Sequence, residues 1–145
     1  MKINQLSLFL ENKPGHLNAI CRTLAQAGIN ILTLSLADTQ QFGIVRLIVK
    51  EWQKAKEALE QAGYVVNVRE VVAAAVPDKP GGMAEILDII GRSGVNIEYM
   101  YAFAFRRGAE AVLIFRFDNS DRAIEALKAA GRDVFDVVTL FTETK

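Results

Sequence analysis

An excess of charge of either sign is missing from this chain. Its 145 residues carry 17 Lys and Arg against 17 Asp and Glu, a formal net charge of zero. That balance removes the electrostatic case for a nucleic-acid partner or an anionic membrane surface. Cysteine is nearly absent as well. The single Cys21 excludes an internal disulfide and fits a reducing, cytoplasmic compartment. The only histidine, His16, has no companions at metal-ligand spacing, so no metal and no cofactor are expected. No Ser/His/Asp set and no phosphate-binding Gly-rich loop occurs, so no catalytic residue and no enzyme activity are expected. No apolar run is long enough to span a bilayer. The opening Met1-Lys2-Ile3-Asn4-Gln5 lacks a basic segment followed by an apolar one, so no signal peptide is expected.

What the chain does have is a duplication. Lys13-Pro14-Gly15 recurs as Lys79-Pro80-Gly81, and Gly28-Ile29-Asn30-Ile31 recurs as Gly94-Val95-Asn96-Ile97, each pair 66 residues apart. Glu57-Ala58-Leu59 recurs as Glu125-Ala126-Leu127 at 68, so the second copy holds two extra residues before its second helix. Solenoid repeats have periods of about 20–50 residues, so this is a duplicated domain. We expect two domains, residues 1–69 and 70–145, each small enough to need a shared buried surface.

Each copy reads strand, helix, strand, strand, helix, strand. In the first, Ile3, Leu6, Leu8 and Leu10 predict a strand, and Leu17, Ile20, Cys21 and Leu24 recur at helical spacing up to a capping Gly28. Strands are expected over residues 29–37, 44–49 and 64–68, with a helix over 52–62 whose Trp52 packs on a sheet edge. In the second copy strands are expected over 71–76, 95–105, 111–117 and 134–140, with helices on Met83, Ile86, Leu87 and Ile90 and on Ile124, Leu127 and Ala130. Two successive βαββαβ units predict an α+β fold of two ferredoxin-like domains, each an antiparallel sheet with helices on one face. No Pro, Gly or Ser run separates Val68 from Val71, so no linker is expected and the packing of the domains should be fixed.

The recurring residues are candidates for a site. Pro-Gly at a helix start has a local explanation, since Pro lacks an N–H that the first turn leaves unpaired and Gly admits close approach. It also has a functional one, because the N–H groups of residues 15–17 and 81–83 would form an anion pocket suited to a carboxylate. Asn30 and Asn96 have two readings as well: satisfying a turn carbonyl, or gripping the amino and carboxyl groups of a zwitterion. Both features occur together in both copies. After the asparagines the copies differ. Thr33, Ser35 and Ala37 stand where the second copy has Tyr99, Tyr101, Phe103 and Phe105. That aromatic stripe is either sheet core or, through Tyr99 and Tyr101, the wall of a pocket. Arg106 and Arg107 read as a solvated hairpin tip, Glu110 as facing solvent, and Cys21 as core.

A strand, then Asn/Asp-x-Pro-Gly, then a helix ending in Gly-[Ile/Val]-Asn-Ile within a βαββαβ unit resembles the ACT domain, as in the regulatory domain of phosphoglycerate dehydrogenase. The resemblance covers both halves. It implies a regulatory module that binds an amino acid at the interface of paired domains, through Asn12 and Asp78 at one motif position and Asn30 and Asn96 at the other. The motif's histidine falls on Leu10 and Val76, so that contact is absent, and Asp78 in place of Asn12 makes the two sites inequivalent.

The expected function is therefore a non-catalytic, allosteric amino-acid sensor with its ligand between the two repeats. Its candidate contacts are Asn12, Lys13, Pro14, Gly15, His16 and Leu17 in the first junction, and Asp78, Pro80, Gly81, Gly82 and Met83 in the second. Asn30, Ile31, Asn96, Ile97 and Tyr99 complete the set. Its output is read by a partner enzyme or regulator, and a homodimer is expected because outer sheet edges need covering. A ligand-free assembly module is the alternative. RNA-recognition modules share the strand order, but their aromatics lie on the first and third strands, not the second.

Overall fold

Alternation along the strands decides which face each residue takes. In β1 (Ile3–Glu11), Leu6, Leu8 and Leu10 turn toward α1 (His16–Gln26) and α2 (Trp52–Gln61), where they meet Ile20, Leu24 and Leu59. The computed structural model describes residues 1–11, 13–39 and 41–143. β2 (Ile31–Thr39) and β3 (Phe42–Val49) form an antiparallel hairpin, and Val45 and Leu47 of β3 face the same core. In space the strands run β2-β3-β1-β4, with β4 spanning Val66–Pro77. Trp52 packs against this core from the start of α2, whereas Cys21 is only half-buried.

The second copy repeats the scheme. α3 (Gly82–Arg92), β5 (Ile97–Arg107), β6 (Glu110–Phe117), α4 (Ser120–Ala129) and β7 (Val134–Phe135) follow, and the order β5-β6-β4-β7 matches that of the first sheet. Val72, Ala74 and Val76 of β4 face Ile86, Ile90 and Leu127, with Phe115 and Phe117 stacked at 5.3 Å between ring centres. Each repeat is thus a ferredoxin-like sandwich of sheet and two helices, the α+β class expected. The chain divides into two compact units, Asn4–Arg69 and Glu70–Lys145, the latter together with Met1–Ile3.

Two expectations need correction. The strands expected at 64–68 and 71–76 are one strand, because no residue between them breaks the extended backbone. The strand expected over 134–140 stops after two residues. Asp136 ends it by accepting the Thr139 N–H at 2.7 Å, which opens a helix, α5 (Val137–Glu143). That hydrogen bond holds the Asp136 carboxyl below its ordinary range.

Candidate functional site

The two strand-to-helix junctions share one backbone. Lys13 N–H bonds Glu11 O at 2.8 Å and His16 N–H bonds Lys13 O at 3.2 Å; Lys79 N–H bonds Pro77 O and Gly82 N–H bonds Lys79 O, both at 3.0 Å. Gly15 and Gly81 sit at φ 87° and 84°, in the left-handed region that disfavours any side chain. Glycine here has a backbone reason that holds with or without a ligand. The anion pocket expected of residues 15–17 and 81–83 is also smaller than anticipated, since the His16 and Gly82 N–H groups are engaged in the turns.

Around that common backbone the junctions differ. At the first, Lys13 Nζ lies 2.8 Å from Glu11 Oε2; this ion pair raises the Lys13 pKa and lowers that of Glu11, so both are charged at neutral pH. Glu11, Lys13, Gln41 and Phe42 line an open cleft of about 420 Å³. At the second, Asp78 N–H bonds Ala109 O at 3.0 Å, fastening the loop to the β5–β6 hairpin. A Cβ on Gly82 would lie 1.9 Å from Pro77 O, so this helix starts where no side chain fits. Lys13, Pro14, Gly15, Asp78, Pro80 and Gly81 are exposed, while His16, Leu17 and Met83 are half-buried. Asn12 lies outside the described residues.

Asn30 and Asn96 are exposed and follow helix-ending Gly28 and Gly94, both left-handed. The Asn96 backbone pairs with Asp118, its N–H donating to Oδ1 at 2.9 Å and its O accepting the Asp118 N–H at 3.1 Å. Within a repeat the asparagine does not meet the junction. Gly15 and Asn30 stand at opposite ends of α1, and Gly81 and Asn96 at opposite ends of α3. Each helix has 11 residues, a length of roughly 16 Å at 1.5 Å per residue, too far for one small ligand to touch both. Ile31, Ile97 and Tyr99 are half-buried on the strands that follow, and the Phe105 side chain lies outside those described.

Of the two arginines expected to be solvated at the hairpin tip, Arg107 is held instead, and the Arg106 side chain lies outside those described. Arg107 Nη2 bonds Glu110 at 3.0 Å and also Asp133, and its guanidinium lies over the Phe135 ring. Glu110 is therefore paired, and both carboxylates raise the Arg107 pKa. The sequence reading also missed Glu11, Gln41 and Phe42 beside the first junction. Only the register that sets Phe42 opposite Glu11 brings them there. Among the described residues no three His, Cys, Asp or Glu side chains gather to hold a metal, and no helix is long and apolar enough to cross a membrane.

A sequence profile for the ACT domain pair matches residues 1–138. Among solved structures, a protein of Bacteroides thetaiotaomicron is 39% identical, with a TM-score of 0.89 over 97% of this chain and 96% of its own. The ligand-free regulatory subunit of aspartate kinase from Thermus thermophilus is 21% identical, with a TM-score of 0.66 over 88% of this chain and 90% of its own. Its counterpart from Thermus flavus is 21% identical, with a TM-score of 0.62 over 88% of this chain and 91% of its own. The two kinase subunits are alike in fold. No protein of curated function matches the sequence.

Proposed function

The chain belongs to the ACT domain pair family, and from that premise we propose that it is a non-catalytic sensor binding a free amino acid at the interface between its repeats. The observation that carries this reading is the recurrence of both the junction and the asparagine in the two copies of a chain of this family. The junction supplies donors for the ligand carboxylate, and the asparagine amide offers both a donor and an acceptor to its polar groups. The duplication supports this arrangement, since it provides both halves in one polypeptide.

Binding then acts by favouring one conformation or association state over another, which a partner enzyme or regulator reads. A homodimer suits this output, because β2 and β5 end their strand orders and leave edges to cover. We place the protein in the cytoplasm, consistent with its single cysteine.

The test is a thermal-shift screen against the twenty amino acids, with calorimetry on each hit. A ligand of the native state raises stability by mass action, and the shift should vanish in the Asn30→Ala/Asn96→Ala double variant. Affinity unchanged in that variant would remove the site assignment. Silence across all twenty would leave the assembly module as the better account.

A further inference from the structure

The two junctions have one backbone and different surroundings, and the surroundings bear on which of them takes a ligand. The strand register makes the comparison direct. Glu11 faces Phe42 across β1 and β3, and the corresponding pair in the second copy is Pro77 facing Glu110 across β4 and β6. The first junction therefore offers a carboxylate, an ammonium and an aromatic ring around one cleft. Phe42 is 49% exposed as a residue, and Phe9, its diagonal neighbour on the same face, is 61% exposed. A cleft of about 420 Å³ lies within the range of small-molecule sites, about 300–1,000 Å³.

The second junction keeps the lysine, as Lys79, and has replaced the other two groups. Proline stands for the glutamate, and the position of the aromatic ring is a glutamate already engaged by Arg107. Its loop is fastened to the hairpin through Asp78 and Ala109, and its helix begins at a glycine pressed against Pro77. These are features of a closed structural turn.

We propose that the first junction is the ligand-accepting one and that its ligand is an α-amino acid with an apolar side chain. The ligand ammonium pairs with Glu11, its carboxylate with Lys13, and its side chain lies on the Phe42 ring. Opening the Glu11–Lys13 pair to admit the zwitterion replaces one exposed ion pair with two, so little electrostatic energy is lost. The apolar contact then supplies the selectivity. This assignment rests on the amino-acid-sensor reading and sharpens it to one site per chain with a stated side-chain preference.

Calorimetry of the full chain with L-phenylalanine, L-leucine and L-serine tests it. The expected result is one apolar amino acid bound per chain, with L-serine weaker by about tenfold or more, the scale of one aromatic contact plus buried area. Phe42→Ala should weaken the apolar ligand by a similar factor and Phe42→Tyr should restore it, while Glu110→Gln, at the matching place in the second copy, should leave affinity unchanged. Two equal sites per chain, equal binding of L-serine, or indifference to Phe42→Ala would overturn the assignment and leave the sensor reading standing. If none of the twenty amino acids binds, the sensor reading falls and the assignment falls with it.

Discussion

The guanidinium of Arg107 lies 4.7 Å from the centre of the Phe135 ring while its Nη2 reaches Glu110 at 3.0 Å. One side chain thus joins the tip of the β5–β6 hairpin to β7, the shortest strand of its sheet. Arg107→Ala should destabilise the protein by about 1–2 kcal/mol, the sum of a partly exposed cation–π contact and weak ion pairs. Arg107→Lys should recover less than half of this, because an ammonium keeps the charge but loses the planar stack. Urea unfolding midpoints of the three proteins decide it, and equal midpoints for all three would show the contact to be idle.

Glycines one residue apart should respond differently to alanine. At Gly15 and Gly81 no atom lies within 4 Å of an added Cβ, so the cost is the left-handed backbone alone, about 1–2 kcal/mol. At Gly82 the added carbon meets Pro77 O at 1.9 Å, and the helix start must move. Gly82→Ala should therefore cost more than Gly81→Ala, by at least about 1 kcal/mol on the scale of overpacked sites. The denaturation free energies of the two variants give the ranking directly.

Acid should weaken the C-terminal helix. The Thr139 N–H holds the Asp136 carboxyl below the usual range of about 3.9, so the folded state binds its proton less readily than the unfolded chain. The stability from this group is fully present above the unfolded pKa and is lost as pH falls through the lower, folded one. Asp136→Asn keeps a capping oxygen and removes the titration. Its melting temperature should fall less steeply than that of the wild type below about pH 4. Parallel slopes would mean that the cap does not couple to folding.

The core should behave as a packed solid. Phe115 is fully buried, with its ring stacked on Phe117 at an interplanar angle of 7°. Phe115→Ala should cost about 3–5 kcal/mol, and Phe115→Leu appreciably less because more of the volume remains filled. Thermal melts read both, and a cost under about 1 kcal/mol for alanine would mean that the site collapses around the void.

The helices and most strands were legible because local pattern and tertiary burial agree in them. Leu17, Ile20 and Leu24 fall on one face of α1, and that is the face packed on the sheet. Local rules succeeded again at Gly28, where an αL cap was expected and φ is 72°. They failed where a short polar signal competed with an apolar run. Val134 to Leu140 looks like a strand by composition, but Asp136, three residues before Thr139, is a helix N-cap, and the cap prevailed.

Long-range partners were not legible. Nothing near Arg107 in the sequence points to Asp133, 26 residues on, and the hairpin was read as solvated for that reason. The candidate site divides along the same line. Its glycines and asparagines were found because they repeat, whereas Phe42 and Glu11 repeat nowhere and meet only through strand register. The repeat also concealed how far the copies have diverged, since identical turns carry opposite surroundings.

The segment Met1–Ile3 opens the first repeat in sequence yet clusters with the second unit, where Lys2 Nζ lies 3.1 Å from Asp121 and Ile3 is buried. Transcribed as two genes, the halves would each be incomplete, one missing the three residues that brace it and the other carrying them without a seat. A fusion placed ahead of Met1 would for the same reason be felt first by the C-terminal half of the molecule, and engineering at one end of the chain becomes a perturbation of the other.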